Sequence, residues 1–141
     1  MGRYGEAAVK AVELLKKSGE VHDPKDAWEK ATADIFGDNT SRQKGCPRCT
    51  FLALCEEGKI EGIPLGNYTT SEENKKYAIK AVEILQKEPT LSSNQEKLWR
   101  RVLEELKKEN NNVDCDKAHN QQMDVVTSLW KKKLIITQEG V

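Results

Sequence analysis

Apolar residues recur at three- and four-residue steps along most of the chain, which is the period of an amphipathic helix. The first such run covers Tyr4 to Lys17. A second run follows Asp23-Pro24, where the aspartate can cap the helix and the proline suits its first turn. A third helix takes Pro47 in its first turn and ends at Gly58. The first half of the chain therefore predicts three helices.

The second half of the chain shows the same order of helix-start patterns and apolar runs. Thr70-x-x-Glu73 and Ser93-x-x-Glu96 have the pattern of capping boxes, and each precedes an apolar run of helical period. A sixth helix is predicted from about Lys117 to Lys133. The apolar tail Leu134 to Thr137 is expected to dock on the core as an extension or as an edge strand. Together these patterns predict an all-α fold of six helices.

Two segments of the chain are nearly the same. Aligning Ala8–Lys17 with Ala78–Lys87 gives seven identical residues in ten, including surface Lys and Glu positions that a shared core face would not require. With small offsets the alignment extends to three further pairs: Trp28 with Trp99, Leu54 with Leu129, and Ile60 with Ile135. We therefore predict one domain, residues 1–141, built from two three-helix repeats (about 3–66 and 70–137). The repeats would share one core about a pseudo-twofold axis.

The composition argues against some classes of function but does not identify one. The chain has 141 residues, 37% of them hydrophobic and 33% charged, which suits one core under a highly solvated surface. The 23 basic residues balance the 23 acidic ones, so no overall basic field recruits nucleic acid, and nucleic acid is not the expected partner. No apolar run approaches a membrane span or a signal peptide, so a cytoplasmic protein without membrane contact is expected. Its four cysteines are then expected to be reduced thiols or metal ligands.

The repeat pairs the start of the third helix with the start of the sixth. We call these two polar stretches, 44–48 and 119–124, the polar seam. Side-chain donors and positive charge beside two helix N-termini suit a small anionic ligand. The candidate binding residues are Lys44, Cys46, Arg48, His119, Asn120, Gln121 and Asp124. The alternative is structural, with the same residues capping the helices and joining the two halves by hydrogen bonds.

Both stretches of the polar seam carry motifs that resemble a known family. Lys-Gly-Cys-Pro-Arg at 44–48, Phe-Leu-x-Leu-Cys-Glu-Glu-Gly at 51–58 and His-Asn-Gln-Gln-Met-Asp-Val-Val at 119–126 are similar to those of an uncharacterised family of small bacterial helical proteins. The resemblance covers nearly the whole chain. It implies a bacterial origin and carries no activity, because the family has no assigned function. The leading hypothesis is a non-enzymatic module that binds a small anionic ligand or a partner protein.

The cysteines support a second class of hypothesis. Cys46-x-x-Cys49 and Cys115-x-x-x-His119 have spacings that would allow a Cys₃His zinc site, and no other cofactor is indicated. Cys46 with His119 and Asn120 would instead suit nucleophilic catalysis. Cys46 and Cys49 at a helix start would also suit a redox-active thiol pair. The enzyme hypothesis predicts a cleft in which Cys46 and His119 come within hydrogen-bonding distance. The interaction hypothesis predicts a filled polar seam or an exposed apolar patch at the tail.

A helix-turn-helix is the remaining alternative. Helices two and three would then present Arg42, Lys44 and Arg48 on one exposed face. The connector between these helices is longer than the usual turn, and Phe51, Leu52 and Leu54 favour burial of the third helix. Both features weigh against DNA binding.

Overall fold

The structure, a computed structural model, describes residues 2–17, 23–40, 44–63, 66–69, 71–110 and 121–136. These residues form six α-helices, with a short 3-10 helix, Pro89–Ser93, between the fourth and the fifth. The α-helices are α1 (Arg3–Lys16), α2 (Pro24–Phe36), α3 (Gly45–Glu56), α4 (Glu72–Lys87), α5 (Gln95–Glu109) and α6 (Gln122–Lys131). Apart from one isolated bridge, the described ranges contain no strand. The all-α fold that the sequence predicts is confirmed.

The two predicted capping boxes are each wrong by one residue. Ser71 is the N-cap of α4, and Thr70, the residue expected there, lies outside the described ranges. Asn94 is the N-cap of α5 in place of Ser93, and its side chain accepts a hydrogen bond from the backbone N–H of Lys97. Ser93 cannot serve because it is the last residue of the 3-10 helix.

The sixth helix is shorter than the sequence predicts. Gln121 has φ 72°, in the left-handed region, so a right-handed helix cannot run through it. α6 therefore begins at Gln122 and ends at Lys131. The predicted start at Lys117 lies outside the described residues.

Helices from the two halves of the chain pack against each other. α1 packs against α2 and against α6, while α4 packs against α5 and against α3. α3 and α6 also contact each other. The apolar face of each half is thus covered by the other half, which gives one core. The largest fully buried side chains include Trp28, Phe51, Leu52, Leu54, Leu85, Leu98, Leu103, Met123 and Leu129.

The C-terminal ends of α3 and α6 have the same geometry. After each helix, a residue in the left-handed conformation is followed by one whose N–H bonds back to the carbonyl five residues earlier, which is a Schellman motif. These bonds join Lys59 to Leu54 at 2.9 Å and Leu134 to Leu129 at 3.0 Å. The left-handed residue is Gly58, with φ 70°, in the first case and Lys133, with φ 60°, in the second.

An antiparallel bridge joins the two segments that follow α3 and α6. It pairs Ile60 with Ile135, the same two residues that the sequence repeat aligns. Two hydrogen bonds flank it, from Glu61 N to Leu134 O at 2.9 Å and from Ile136 N to Lys59 O at 2.8 Å. Equivalent residues face each other in this way across a twofold axis. The duplication itself stays a prediction, and these contacts support it.

The matched helix ends lead to a prediction about stability. A residue with a Cβ in the left-handed conformation costs about 1 kcal/mol relative to glycine. Replacing Lys133 with glycine is therefore expected to raise the free energy of unfolding by about 0.5–1 kcal/mol, and Gly58→Ala to lower it by about 1 kcal/mol. Urea denaturation measures both changes. Lys133→Ala is the control, since a gain as large as that of glycine would show that loss of the lysine side chain, and not backbone strain, is the cause.

Candidate functional site

Asp124, in the first turn of α6, is buried, with 1% of its surface exposed. Its carboxylate accepts the backbone N–H groups of Gly2, at 2.9 Å, and of Gly5, at 2.8 Å, at the start of α1. The side-chain amide of Gln95 donates to it as well, at 3.3 Å. Two amides and the positive end of the α1 dipole thus compensate the buried charge. Asp124 joins α6 to α1, and this part of the polar seam is filled.

The other residues of the polar seam have separate surroundings. Lys44 is the N-cap of α3, and its Nζ lies 5.9 Å from the ring centroid of Tyr4 on α1. Cys46 is half-buried in the first turn of α3. Gln121 precedes α6 and is half-buried. Two members of the set lie outside the described residues, His119 and Asn120.

Arg48 borders a pocket of about 230 Å³. This space, the cationic pocket, is lined by Lys25, Arg48, Cys49, Asn67, Tyr68 and Thr69. These residues come from the first turns of α2 and α3 and from the segment 66–69. The side chains of Arg48 and Lys25 form no ion pair with any residue that the structure describes. Two cations next to amide and hydroxyl groups can hold a phosphate or carboxylate group.

Glu56, near the end of α3, fixes one wall of the cationic pocket. Only 7% of its surface is exposed. Its Oε1 accepts the backbone N–H groups of Tyr68, at 2.8 Å, and Thr69, at 3.1 Å, and its Oε2 forms an ion pair with Lys75 of α4. The hydrogen bond from Lys75, followed by that from Thr69, lowers the pKa of Glu56 from 4.5 to about 2, although burial opposes the change. The carboxylate is therefore charged at neutral pH and ties the segment 66–69 to α3 and α4.

The pKa values of two further residues beside this wall are raised. Burial is the main cause that raises the pKa of Tyr68. Its phenol is therefore protonated at neutral pH, and a protonated phenol can donate a hydrogen bond to an anion. Burial also raises the pKa of the Cys55 thiol, so this cysteine is a small core residue rather than a reactive one.

The metal and enzyme hypotheses depend on residues beyond the described ranges. Cys46 and Cys49 are half-buried residues of α3. Cys115 and His119 lie outside the part of the chain that the structure describes. Within that part, no three His, Cys, Asp or Glu side chains lie close enough together to hold a metal ion. The zinc site and the pairing of Cys46 with His119 stay predictions.

The sequence pattern indicates Arg48 but misses most of the cationic pocket. In the sequence, Lys25 is an ordinary surface lysine in the first turn of a helix. The glycine-rich connector 58–67 predicts a loop, but it does not predict which helices the loop packs against. One signal was present in Tyr68, because a large aromatic residue next to such a connector usually packs against something. Nothing in the local pattern distinguishes buried Glu56 from exposed Glu57.

Comparison with known proteins places the chain in a family without giving it an activity. No helix in the described ranges has both the length and the hydropathy that a membrane span requires. No curated protein and no solved structure matches the chain. A family whose function is unknown matches almost all of it, which confirms the expected membership of an uncharacterised family. The chain belongs to the family of unknown function DUF6979, which matches residues 1–136.

Proposed function

We propose that this chain is a non-enzymatic binding module that holds a small anionic ligand in the cationic pocket. The observation that carries the proposal is the pair of cations, Arg48 and Lys25, which line one pocket and form no ion pair with any described residue. Arg48 comes from the polar seam that the sequence indicates. Lys25 is added by the packing of α2 beside α3.

The half-buried position of Arg48 supports a bound anion over a purely structural role. A guanidinium group that is partly removed from water loses hydration, and a charge-assisted hydrogen bond to an anion replaces it. In contrast, Glu56, a buried carboxylate that fixes one wall of the pocket, already has its cation in Lys75. The chain therefore neutralises one buried charge internally and leaves the two pocket cations for a ligand.

The size and lining of the pocket limit the ligand. A volume of about 230 Å³ is below that of a drug-sized site and suits a phosphate- or carboxylate-bearing group. Asn67, Tyr68 and Thr69 line the pocket beside the two cations, and the side chains of Asn67 and Thr69 are neutral donors. Backbone hydrogen bonds from two of these residues to Glu56 hold them in place before a ligand arrives, which reduces the ordering cost of binding.

Inorganic phosphate is the probe that tests this proposal. Titrated into isotope-labelled protein at constant ionic strength, phosphate is expected to shift the backbone amide signals of Cys49, Tyr68 and Thr69. Arg48→Gln is expected to weaken the binding about tenfold or more, because a hydrogen bond to a charged group contributes roughly 1.5–3 kcal/mol. Lys25→Gln should weaken it less, since this lysine is exposed.

The matched control is Lys30→Gln, which removes one positive charge from the exposed side of the same helix, outside the pocket. Binding by this variant should equal that of the wild type. Phosphate shifts that are scattered over the surface, or that survive Arg48→Gln unchanged, would show that the pocket is not an anion site. Retention of the wild-type spectrum away from the pocket establishes that each variant is folded.

The finer expectations from the sequence are part of the same proposal. The bacterial origin implied by the motifs and a cytoplasmic location agree with a binding module but stay predictions. So does a protein partner in place of a small ligand. Apart from Asp124, whose carboxylate is occupied by α1, the remaining residues of the polar seam also stay candidates for binding: Lys44, Cys46, His119, Asn120 and Gln121.

A further inference from the structure

A groove of about 850 Å³ lies beside the segment that follows α6. We call it the tail groove, and its lining includes Pro89, Trp130, Lys131, Lys133, Ile135 and Ile136. Ile136 is 44% exposed and is the one large hydrophobic residue of the described ranges that is classed as exposed. Trp130 is half-buried next to it. The tail therefore presents apolar surface to solvent at Ile136.

The backbone at this groove has an unused edge. Because the hydrogen bonds flank the Ile60–Ile135 pair, the N–H and C=O groups of these two residues point away from each other. The carbonyl of Ile60 accepts the N–H of Ile63, at 3.2 Å. The N–H and C=O groups of Ile135 bond to no residue that the structure describes. Ile135 is 7% exposed and lines the groove, and its backbone donor and acceptor lie at the edge of a strand-like segment.

Positive charge surrounds this edge. Lys131, Lys132 and Lys133 are consecutive and exposed, and they form no ion pair with any described residue. Lys131 and Lys133 line the tail groove, and among its described lining residues Glu61 is the single acidic one. Lysines at a strand edge discourage pairing with neutral or basic strands, and they favour a strand that carries carboxylates.

We propose that the tail groove binds an extended acidic segment of a partner protein, which adds as a strand to the edge at Ile135. Main-chain hydrogen bonds to the N–H and C=O groups of Ile135 hold the segment in register. Alternate side chains of the segment lie on Trp130 and Ile136, and its carboxylates pair with Lys131 and Lys133. This surface is distinct from the cationic pocket, because the two share none of the lining residues that the structure describes.

A short fluorescein-labelled peptide of alternating valine and glutamate is the probe. Fluorescence anisotropy should show saturable binding, while a valine–lysine peptide of the same length should not bind. Because each exposed ion pair contributes little, the double variant Lys131→Gln/Lys133→Gln is expected to weaken binding about fivefold. The double variant Lys30→Gln/Lys87→Gln removes two exposed lysines elsewhere and should leave binding unchanged. Methylating alternate peptide nitrogens should abolish it.

Hydrogen exchange provides the readout that is specific to strand addition. The peptide is expected to slow exchange of the Ile135 amide about tenfold or more, with no comparable change at amides of α5. Absence of binding, or binding that the double variant Lys131→Gln/Lys133→Gln leaves unchanged, would overturn the proposal. So would a concentration-dependent dimer lost in Ile136→Asp, which would assign the groove to a second copy. A gain in affinity on removing residues 137–141 would assign it to the end of this chain.

Discussion

Replacing Glu56 with alanine is expected to lower the free energy of unfolding by about 3–5 kcal/mol, measured by urea denaturation at neutral pH. The truncation leaves the N–H groups of Tyr68 and Thr69 without their acceptor and Lys75 without its buried partner. Each of these donors would then lack a partner, and the free energy of removing it from water would no longer be compensated by the carboxylate. The same change should loosen the segment 66–69 and weaken phosphate binding in the cationic pocket.

Glu57→Ala is the matched control, because Glu57 is the next residue and is exposed. Its effect should stay within about 0.5 kcal/mol. If the two alanine variants were equally stable, Glu56 would not be the tie between α3, α4 and the segment 66–69. A Glu56→Ala variant that loses stability but binds phosphate normally would separate the structural role from the proposed function.

The pH dependence of stability gives an independent measure of the same interaction. The folded state lowers the pKa of Glu56 from 4.5 to about 2, so its contribution is present above pH 4.5 and is lost as the pH falls to about 2. The pKa of Lys75 is raised, chiefly by its hydrogen bond to Glu56, so its contribution is lost only as the pH rises above 10.5. Glu56→Gln is expected to flatten the acid limb of the stability curve between pH 4.5 and 2.

Replacing Gly5 with alanine should lower the free energy of unfolding by about 3 kcal/mol or more, a large effect for one methyl group. A Cβ at this position would lie 1.9 Å from Ser128 Oγ and 2.8 Å from the backbone oxygen of Asp124. α1 would have to move away from α6, which would also stretch the bond from the Gly5 N–H to the Asp124 carboxylate. Thermal and urea denaturation both measure the loss.

Gly45→Ala provides the comparison, since Gly45 also lies in a helix but a Cβ there meets no atom within 4 Å. Alanine at this position should be neutral or raise stability by up to about 1 kcal/mol, through its higher helix propensity. Equal effects of the two substitutions would mean that the close approach of α1 and α6 does not limit stability.

Much of the fold could be predicted from sequence because helix signals are local. The spacing of apolar residues identified all six helices, and Asp23 caps α2 as its position before Pro24 predicts, with its carboxylate 2.9 Å from the Lys25 N–H. The N-cap of α5 was not predicted correctly, because Ser93 and Asn94 are adjacent and both are suitable cap residues. Only the 3-10 helix at Pro89–Ser93 selects Asn94.

The site was predicted less well, because a polar residue does not encode its distant partner. The polar run 119–124 suggested a ligand-binding role for Asp124, in the first turn of α6, but α1 supplies the groups that bind it. Arg48 was a candidate from its motif, whereas Lys25 and Tyr68 joined it only when α2 and the segment 66–69 packed beside α3. The tail was foreseen as an apolar extension, but its edge at Ile135, which bonds to no described residue, follows from the bridge to Ile60.

The sequence alone determined the helices, their order and the all-α class, since these depend on contacts between residues three or four apart and on caps. Tertiary structure decided which polar groups are buried and what they bind. Glu56 and Glu57 are adjacent glutamates, yet Glu56 is a buried, charged carboxylate and Glu57 is exposed to solvent. Helix propensity favours alanine over Gly5, yet the crossing of α1 and α6 forbids it. In both cases the deciding atoms come from residues far away in the chain, and their proximity exists only after the helices have packed.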